Sequence, residues 1–419
     1  MLFTFNLLKQ KGRPQQRDAL GRVKRAEALD LMRVRFDLDG LDREMPLTLA
    51  MMPVLPSHGT DVEHFDKPTL KPPIGTGPYV IADVQPGARL ILRRNLDYWA
   101  QDLPVQRGLF NFDEIEIDYY RDAESSFEAF KAGLCDLRQE TDAARWLRSY
   151  DFPAARDGRI VKESLPYGAP KGMEGFAFNT RRSIFADIRV REALGMMFDF
   201  EWINANIYGG IYRRSRSFFD DSELASAGRP ADAGERALLA PFPDAVRNDI
   251  LEGRWAPPIT DGSGRDRKMA QRALALLGEA GYAIKDGVLV DRTSSRPFAF
   301  EILVQSQTQE RLSEFYADSL RRIGIYATVR LADEVQYERR RQRFDFDMLI
   351  AAWIATPSPG NEQRFLWGSQ SADEEGSYNL AGARSPAIDA MIAAMVAAKA
   401  HREFVDAVRA YDRVLLSGF

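Results

Sequence analysis

The run from Pro297 to Ile354 constrains this chain more than any other stretch. Phe298, Phe300, Ile302 and Val304 alternate with the period of a strand, and Leu312, Phe315, Tyr316 and Ile323 then recur at helical spacing. Gly324 stands where a helix-ending glycine belongs, and Ile325, Ala327, Val329 and Leu331 form a second strand. A polar helix around Tyr337 to Arg343 leads to Phe346, Met348, Leu349, Ile350 and Trp353, an apolar run suited to a strand covered on both faces. Strand, helix, strand, helix, strand predicts a parallel sheet and an α/β fold.

The flanks repeat the theme. Asp187 can cap a helix whose Val190, Ala193, Leu194, Met197 and Phe198 form one stripe, and Ala270 to Leu277 starts another helix ending near Gly281. Asp286-Gly287 between Ile284 and Val288-Leu289-Val290 predicts a hairpin turn. Ile388, Met391, Ile392 and Met395, then Phe404, Val405, Val408, Tyr411 and Leu415, predict two amphipathic helices with the methionines as core filling. Arg213 to Thr260, rich in Pro, Gly and acids, reads as a long surface excursion.

Composition bounds the function. With 419 residues, 45% of them hydrophobic, the chain holds roughly two to three domains' worth of sequence. A net charge of -4 from nearly balanced acids and bases supplies no basic field for a nucleic-acid backbone. The lone cysteine, Cys135, excludes an internal disulfide and, beside Gly133, Leu134 and Leu137, reads as a small buried hydrophobe. No stretch reaches the ~18 to 20 apolar residues of a membrane-spanning helix, and the N-terminus has no signal-peptide pattern. Phe3-Thr4-Phe5-Asn6-Leu7-Leu8-Lys9 reads as the interior of a folded domain, so Met1 is not expected to be the natural start.

The sequence offers no strong catalytic constellation. His58, His64 and His401 are too scattered for a metal pair or a triad base. Gly75-Thr76-Gly77 lacks the Lys-Ser/Thr of a phosphate loop and reads as a turn entering the strand Tyr79-Val80-Ile81. Asp113, Glu114, Glu116 and Asp118 could in principle supply a carboxylate acid/base pair for hydrolysis of a glycoside or peptide, the alternative function. Their alternation with Ile115 and Ile117 reads instead as the wet face of a strand. Arg339-Arg340-Arg341 with Arg343 reads as a solvated helix face. No catalytic residue, metal or cofactor is assigned.

Seven ordered segments carry a family resemblance: Ile74-Gly75-Thr76-Gly77-Pro78-Tyr79; Asn95-Leu96-Asp97-Tyr98-Trp99; Phe127-Glu128-Ala129-Phe130-Lys131-Ala132-Gly133; Phe176-Ala177-Phe178-Asn179-Thr180-Arg181 with Asp187 to Leu194; Leu276 to Tyr282; Phe344-Asp345-Phe346-Asp347-Met348; and Ser385-Pro386-Ala387-Ile388-Asp389. The chain resembles the family 5 extracellular solute-binding proteins of dipeptide and oligopeptide ABC importers. Asp113-Glu114-Ile115 with Asp118 to Asp122, and Ser358 to Arg364, look most like the YejA-type branch, associated with peptides and microcin-C-like conjugates.

The resemblance implies a two-lobed periplasmic-binding-protein fold of type II, in the large peptide-binding class: lobe I over 1–171 and lobe II over 172–419. It also implies that lobe I lacks its N-terminal portion and a returning C-terminal strand, the chain being cut at both ends. The expected protein is a periplasmic monomer and no enzyme. It would capture a peptide between its lobes and deliver it to an inner-membrane ABC permease with ATPase subunits, without contact to nucleic acid. The strand Trp353 to Pro357 aligns with the family's peptide-pairing edge, giving Trp353, Ala355, Thr356 and Ser358 as ligand residues, with Phe178 and Asn179 beside them. In oligopeptide-binding relatives an aspartate just before an Asn-Glu pair holds the ligand's ammonium; aligned on Asn361-Glu362, that position is Pro359. Glu362 or Glu174 would then supply the counter-charge, or the ligand is N-blocked. Trp353 lines the cleft or belongs to the core; the residues leave both open.

Overall fold

The computed structural model describes residues 1–38, 42 and 44–419. Two compact units emerge, one of residues 1–37 and 51–164, the other of 38–50 and 165–419.

In the first unit the helices Leu2–Lys11 and Pro14–Gly21 bury Phe5, Leu7, Leu8 and Leu20. Two strands not anticipated from the sequence, β1 (Val23–Ala28) and β2 (Val34–Leu38), form a ribbon. The expected strand after Gly77 is β3 (Tyr79–Gln85); it pairs antiparallel with β4 (Arg89–Arg94), which pairs with β5 (Glu114–Asp118). On β5, Glu114 and Glu116 are exposed as predicted, but the alternation fails at its end, where Ile117 is exposed and Asp118 half-buried. Arg89 pairs with Glu116 (2.6 Å) and Asp118 (2.8 Å), and Arg93 faces Glu114 at 3.6 Å. Asn95 ties the second motif to the first by donating from Nδ2 to the Gly77 carbonyl (3.3 Å). Asp122 caps the helix Ala123–Lys131, which turns Phe127 and Phe130 onto Tyr150. Cys135 is only partly buried, and its neighbours Leu134 and Leu137 are exposed, so the expected apolar burial of that segment is not met.

The second unit is built on four strands: β6 (Met173–Phe178), then, past the hairpin of β7 (Tyr282–Lys285) and β8 (Val288–Asp291), β9 (Ala299–Val304), β10 (Tyr326–Leu331) and β11 (Met348–Trp353). Their order is β10-β9-β11-β6. β10 and β11 run parallel to β9, and β6 runs antiparallel to β11. The crossovers are the helices Gln307–Arg321 and Glu334–Gln342, capped by Ser306 and Asp333, as the periodicity predicts. Asp286 and Gly287 adopt positive φ (51° and 80°), the backbone of a two-residue hairpin turn. One face of the sheet packs on Val190, Leu194, Leu277, Tyr316 and Leu320. The other packs on Tyr337, Phe344 and Phe346.

Two expectations need correction. Residues 213–260 are no surface excursion: Phe219, Leu224, Leu239, Val246 and Ile250 are buried against the last helix, His401–Gly418. Propensity reads Pro, Gly and acids as a loop, and the loop is indeed irregular, but buried charges on that helix bond its main chain. Asp412, wholly buried, accepts from Phe218 N–H (2.9 Å), Ser226 N–H (2.9 Å), Ser217 Oγ (2.8 Å) and Ser226 Oγ (2.6 Å). Arg413 pairs with the buried Glu235 (2.6 Å) and donates to the carbonyls of Ile250 (2.6 Å) and Arg229 (2.8 Å). The arginine run is not simply a solvated face either. Arg340 pairs with Glu301 (2.8 Å) and Asp345 (3.3 Å), while Arg341 is buried on Glu338 (2.7 Å) and over the Tyr378 ring. Arg339 alone of the three is exposed.

Candidate functional site

Within the second unit, β11 outruns its parallel neighbour. β9 meets β11 only at Ile302↔Met348 and Leu303↔Leu349 and ends at Val304. β6 stays paired with β11 through Met173↔Trp353. From Ile350 to Trp353, β11 therefore has a strand at one edge and, among the described residues, none at the other. The chain continues as an irregular loop, 354–360, in which Ile354, Thr356, Pro357 and Ser358 are exposed while Ala355, Pro359 and Gly360 are buried. This opening lies at the carboxyl end of the parallel strands, where open α/β sheets bind ligands.

Close approaches mark both ends of the loop, one between two main chains and one between a main chain and a carboxylate. A Cβ on Gly172 would overlap the carbonyl oxygen of Trp353, and one on Gly360 would overlap the carboxylate of Glu44. At Gly172, where the neighbour is main chain, only glycine lets the backbone come this near. Asn361 N–H donates to Glu44 Oε2 (2.8 Å), and Asn361 Nδ2 donates to Asp42 (2.9 Å). Glu362, at the start of the helix Glu362–Trp367, accepts from Gly360 N–H with both oxygens (3.0 and 3.1 Å) and from Gln363 Nε2 (3.1 Å). Gln363 in turn accepts from the buried Tyr411 hydroxyl (2.9 Å), whose pKa is raised, chiefly by desolvation.

The eight residues singled out from the sequence fall into two groups. Trp353, Ala355, Thr356, Ser358, Glu362 and Glu174 gather at the end of β11 and its loop. Trp353 stacks on Trp367 (5.2 Å, 26°), with Phe218 edge-on to both, so packing takes up its indole. Ala355 packs in the same cluster. Glu174 sits opposite Ala352, exposed, its side chain without a hydrogen bond or ion pair among the described residues. Phe178 pairs with Met348, five residues or about 17 Å back along β11. Its ring packs on Phe185 (5.3 Å).

Asn179 is fully buried. Its Nδ2 donates to the carbonyls of Phe344 (3.1 Å) and Phe346 (2.8 Å), and its Oδ1 accepts from Arg181 (2.9 Å). Arg181 lies over the Phe344 ring (3.8 Å) and donates to the carbonyls of Ala372, Asn379 and Leu380; burial pushes its pKa down to about 10. The Asn179-Thr180-Arg181 motif thus ties the end of β6 to the Phe344-Asp345-Phe346-Asp347 motif. Sequence reasoning missed Gly172, Asp42 and Glu44. An Asx cap was readable at Asp42, which accepts from Met45 N–H (3.1 Å). Its meeting with Asn361, 319 residues away, had no local signal.

The model of the bacterial extracellular solute-binding proteins, family 5 middle region, matches residues 1–375. A protein of Brucella melitensis biotype 1 is 51% identical over 420 residues, spanning 100% of this chain and 68% of the relative. The peptidoglycan-binding protein YepA of Agrobacterium fabrum is 43% identical over 427 residues (100% and 69%), and YejA of Escherichia coli K12 is 34% identical over 414 (99% and 68%). Among solved structures, the oligopeptide-binding protein AppA from Bacillus subtilis, in complex with a nonapeptide, superposes with a TM-score of 0.73 at 18% identity, covering 99% of this chain and 75% of that one. DppA from Helicobacter pylori in complex with peptide STSA gives 0.72 at 19% identity (100% and 73%). The α/β fold is that of the two-lobed oligopeptide-binding proteins, and the chain belongs to the bacterial extracellular solute-binding proteins of family 5, in its YejA-type branch.

Proposed function

We propose that this protein is the periplasmic receptor of an ABC importer, one that captures peptides and hands them unaltered to a membrane permease with its ATPase subunits. The observation that carries the reading is the stretch of β11 that outruns β9, continuing into the loop 354–358, exposed at all but Ala355. Such an edge offers main-chain donors and acceptors to an extended peptide regardless of its side chains. The peptides held by AppA and DppA support this reading. Lobe I is taken over 1–171 and lobe II over 172–419, and closure of the two around the ligand would present a surface to the permease.

The ligand's N-terminus is the discriminating feature. Pro359 brings no charge, and the Glu362 carboxylate is already bonded to Gly360 and Gln363. Glu174 is the better amine partner, since its carboxylate makes no bond among the described residues. A ligand whose amine is already acylated needs no counter-charge, and the peptidoglycan-binding name of YepA and the microcin-like association of the branch both fit such conjugates. Calorimetry with one tripeptide in free-amine and N-formylated forms tests this. Glu174→Ala is expected to weaken the free-amine form more than tenfold and leave the formylated form unchanged, because an ammonium left unpaired costs about 2 to 5 kcal/mol. Equal effects of Glu174→Ala on both forms would refute the amine assignment, and no binding of either form by the wild type would refute the peptide reading. Arg339→Ala is the control, Arg340 being ion-paired.

A further inference from the structure

Residues 38–50 belong to the second unit although the chain on both sides of them, 1–37 and 51–164, belongs to the first. This strap is anchored by Met45 and Leu49, both buried, on the helix Met45–Ala50. Just ahead of that helix, Asp42 Oδ1 accepts from the Glu44 and Met45 N–H groups (2.9 and 3.1 Å), which ties both carboxylates to the helix start. From there Glu44 reaches the main-chain N–H of Asn361 (2.8 Å) and its Nδ2 (3.2 Å), while both oxygens of Asp42 accept from the same Nδ2 (3.1 and 2.9 Å). The Glu44 carboxylate lies directly against Gly360, where a Cβ would push it aside. Hydrogen bonds to an ionised carboxylate are about twice as strong as neutral ones, so this contact can fix the main chain it touches. It falls at the exit of the loop 354–360, whose entry is fixed by the approach of Gly172 to Trp353. Between the two fixed ends stand the exposed Ile354, Thr356, Pro357 and Ser358.

We propose that Glu44, backed by Asp42, is a positioning residue that sets the shape of the ligand-facing loop, so that peptide affinity depends on a strap more than three hundred residues away in sequence. The role at the ligand rests on the function proposed above; the latch itself does not. Glu44 need not touch the peptide. Its influence passes through Gly360 and Asn361 to a main-chain edge whose hydrogen-bond directions must match an extended ligand.

Amide hydrogen exchange over 354–361 in the ligand-free protein, with calorimetry on the N-formylated tripeptide, tests the proposal in the wild type, Glu44→Ala, Glu44→Gln and Gly360→Ala. Glu44→Ala removes the acceptor and Gly360→Ala displaces it, so both are expected to speed exchange in the loop about tenfold or more, with the rest of the second unit unchanged, and to weaken the peptide about tenfold. Glu44→Gln keeps the size and one acceptor oxygen and should restore both readouts to within about threefold of the wild type. Unchanged loop exchange in Glu44→Ala would overturn the latch, and faster exchange with unchanged affinity would overturn its positioning role. Should the wild type bind no peptide, the functional reading falls and the exchange comparison alone decides the latch.

Discussion

Asn179 illustrates how a residue picked out by a motif can owe its place to structure. Its amide joins the end of β6 to two carbonyls more than 160 residues away, and none of its surface reaches solvent. Asn179→Ala would leave the Phe344 and Phe346 carbonyls without that donor, so a loss of about 1 to 3 kcal/mol is expected in denaturant unfolding. A stable Asn179→Ala protein with weakened peptide binding would contradict this assignment. Asp122 gives a pH prediction at the same scale. The Ser125 backbone N–H above all, then the Ser125 side chain and Arg121, hold its carboxyl at about 2, below the ordinary 3.8. A depressed folded-state pKa means that its contribution is present above pH 3.8 and is lost as the pH falls towards 2. The protection factor of the Ser125 amide, its exchange rate relative to the intrinsic rate at each pH, should fall across that window in the wild type and stay level in Asp122→Asn, which keeps an acceptor that does not titrate. Glu362 was legible as a charged residue beside a key asparagine. That Gly360 and Gln363 occupy its carboxylate was not, because hydrogen-bond partners are set by tertiary placement.

At the scale of elements, the β-α-β-α-β run was legible because period-two and helical patterns alternate cleanly there. The Asp286-Gly287 turn was legible because its positive φ values need those residue types. The segment 213–260 was misread for the opposite reason: it has no period, and its burial depends on Asp412 and Arg413, which local patterning treats as polar interruptions of an amphipathic helix. That arrangement carries a further prediction. Glu235 and Arg413 are almost wholly buried, so Arg413→Ala should cost about 3 to 5 kcal/mol in unfolding experiments, by stranding the carboxylate and two carbonyls. Arg339→Ala should change stability by less than about 0.5 kcal/mol. Equal, small effects would mean that the buried pair does not hold the segment. The binding edge was legible only as a strand; its open side follows from β9 ending at Val304, which depends on pairing between strands.

At the scale of the molecule, the two units differ in how well they cover their sheets. In the second, both faces of the four-stranded sheet carry buried cores. In the first, no residue of β3, β4 or β5 is buried, and Leu31, Met32, Leu137 and Val161 are more than four-fifths exposed. Exposed apolar surface drives association where it is contiguous. The 419-residue chain on its own is expected to bind a hydrophobic dye and to self-associate with concentration in sedimentation velocity; a monodisperse monomer that binds no dye would contradict this reading. The central claim concerns capture without chemistry, and native mass spectrometry tests it most directly. The protein would be incubated with a pool of short peptides, free and N-formylated, and the bound and released masses compared with the input. Complexes of one protein with one peptide are expected, with every peptide recovered at its starting mass. Peptides returned cleaved or otherwise altered, or an absence of any complex across the pool, would contradict that claim.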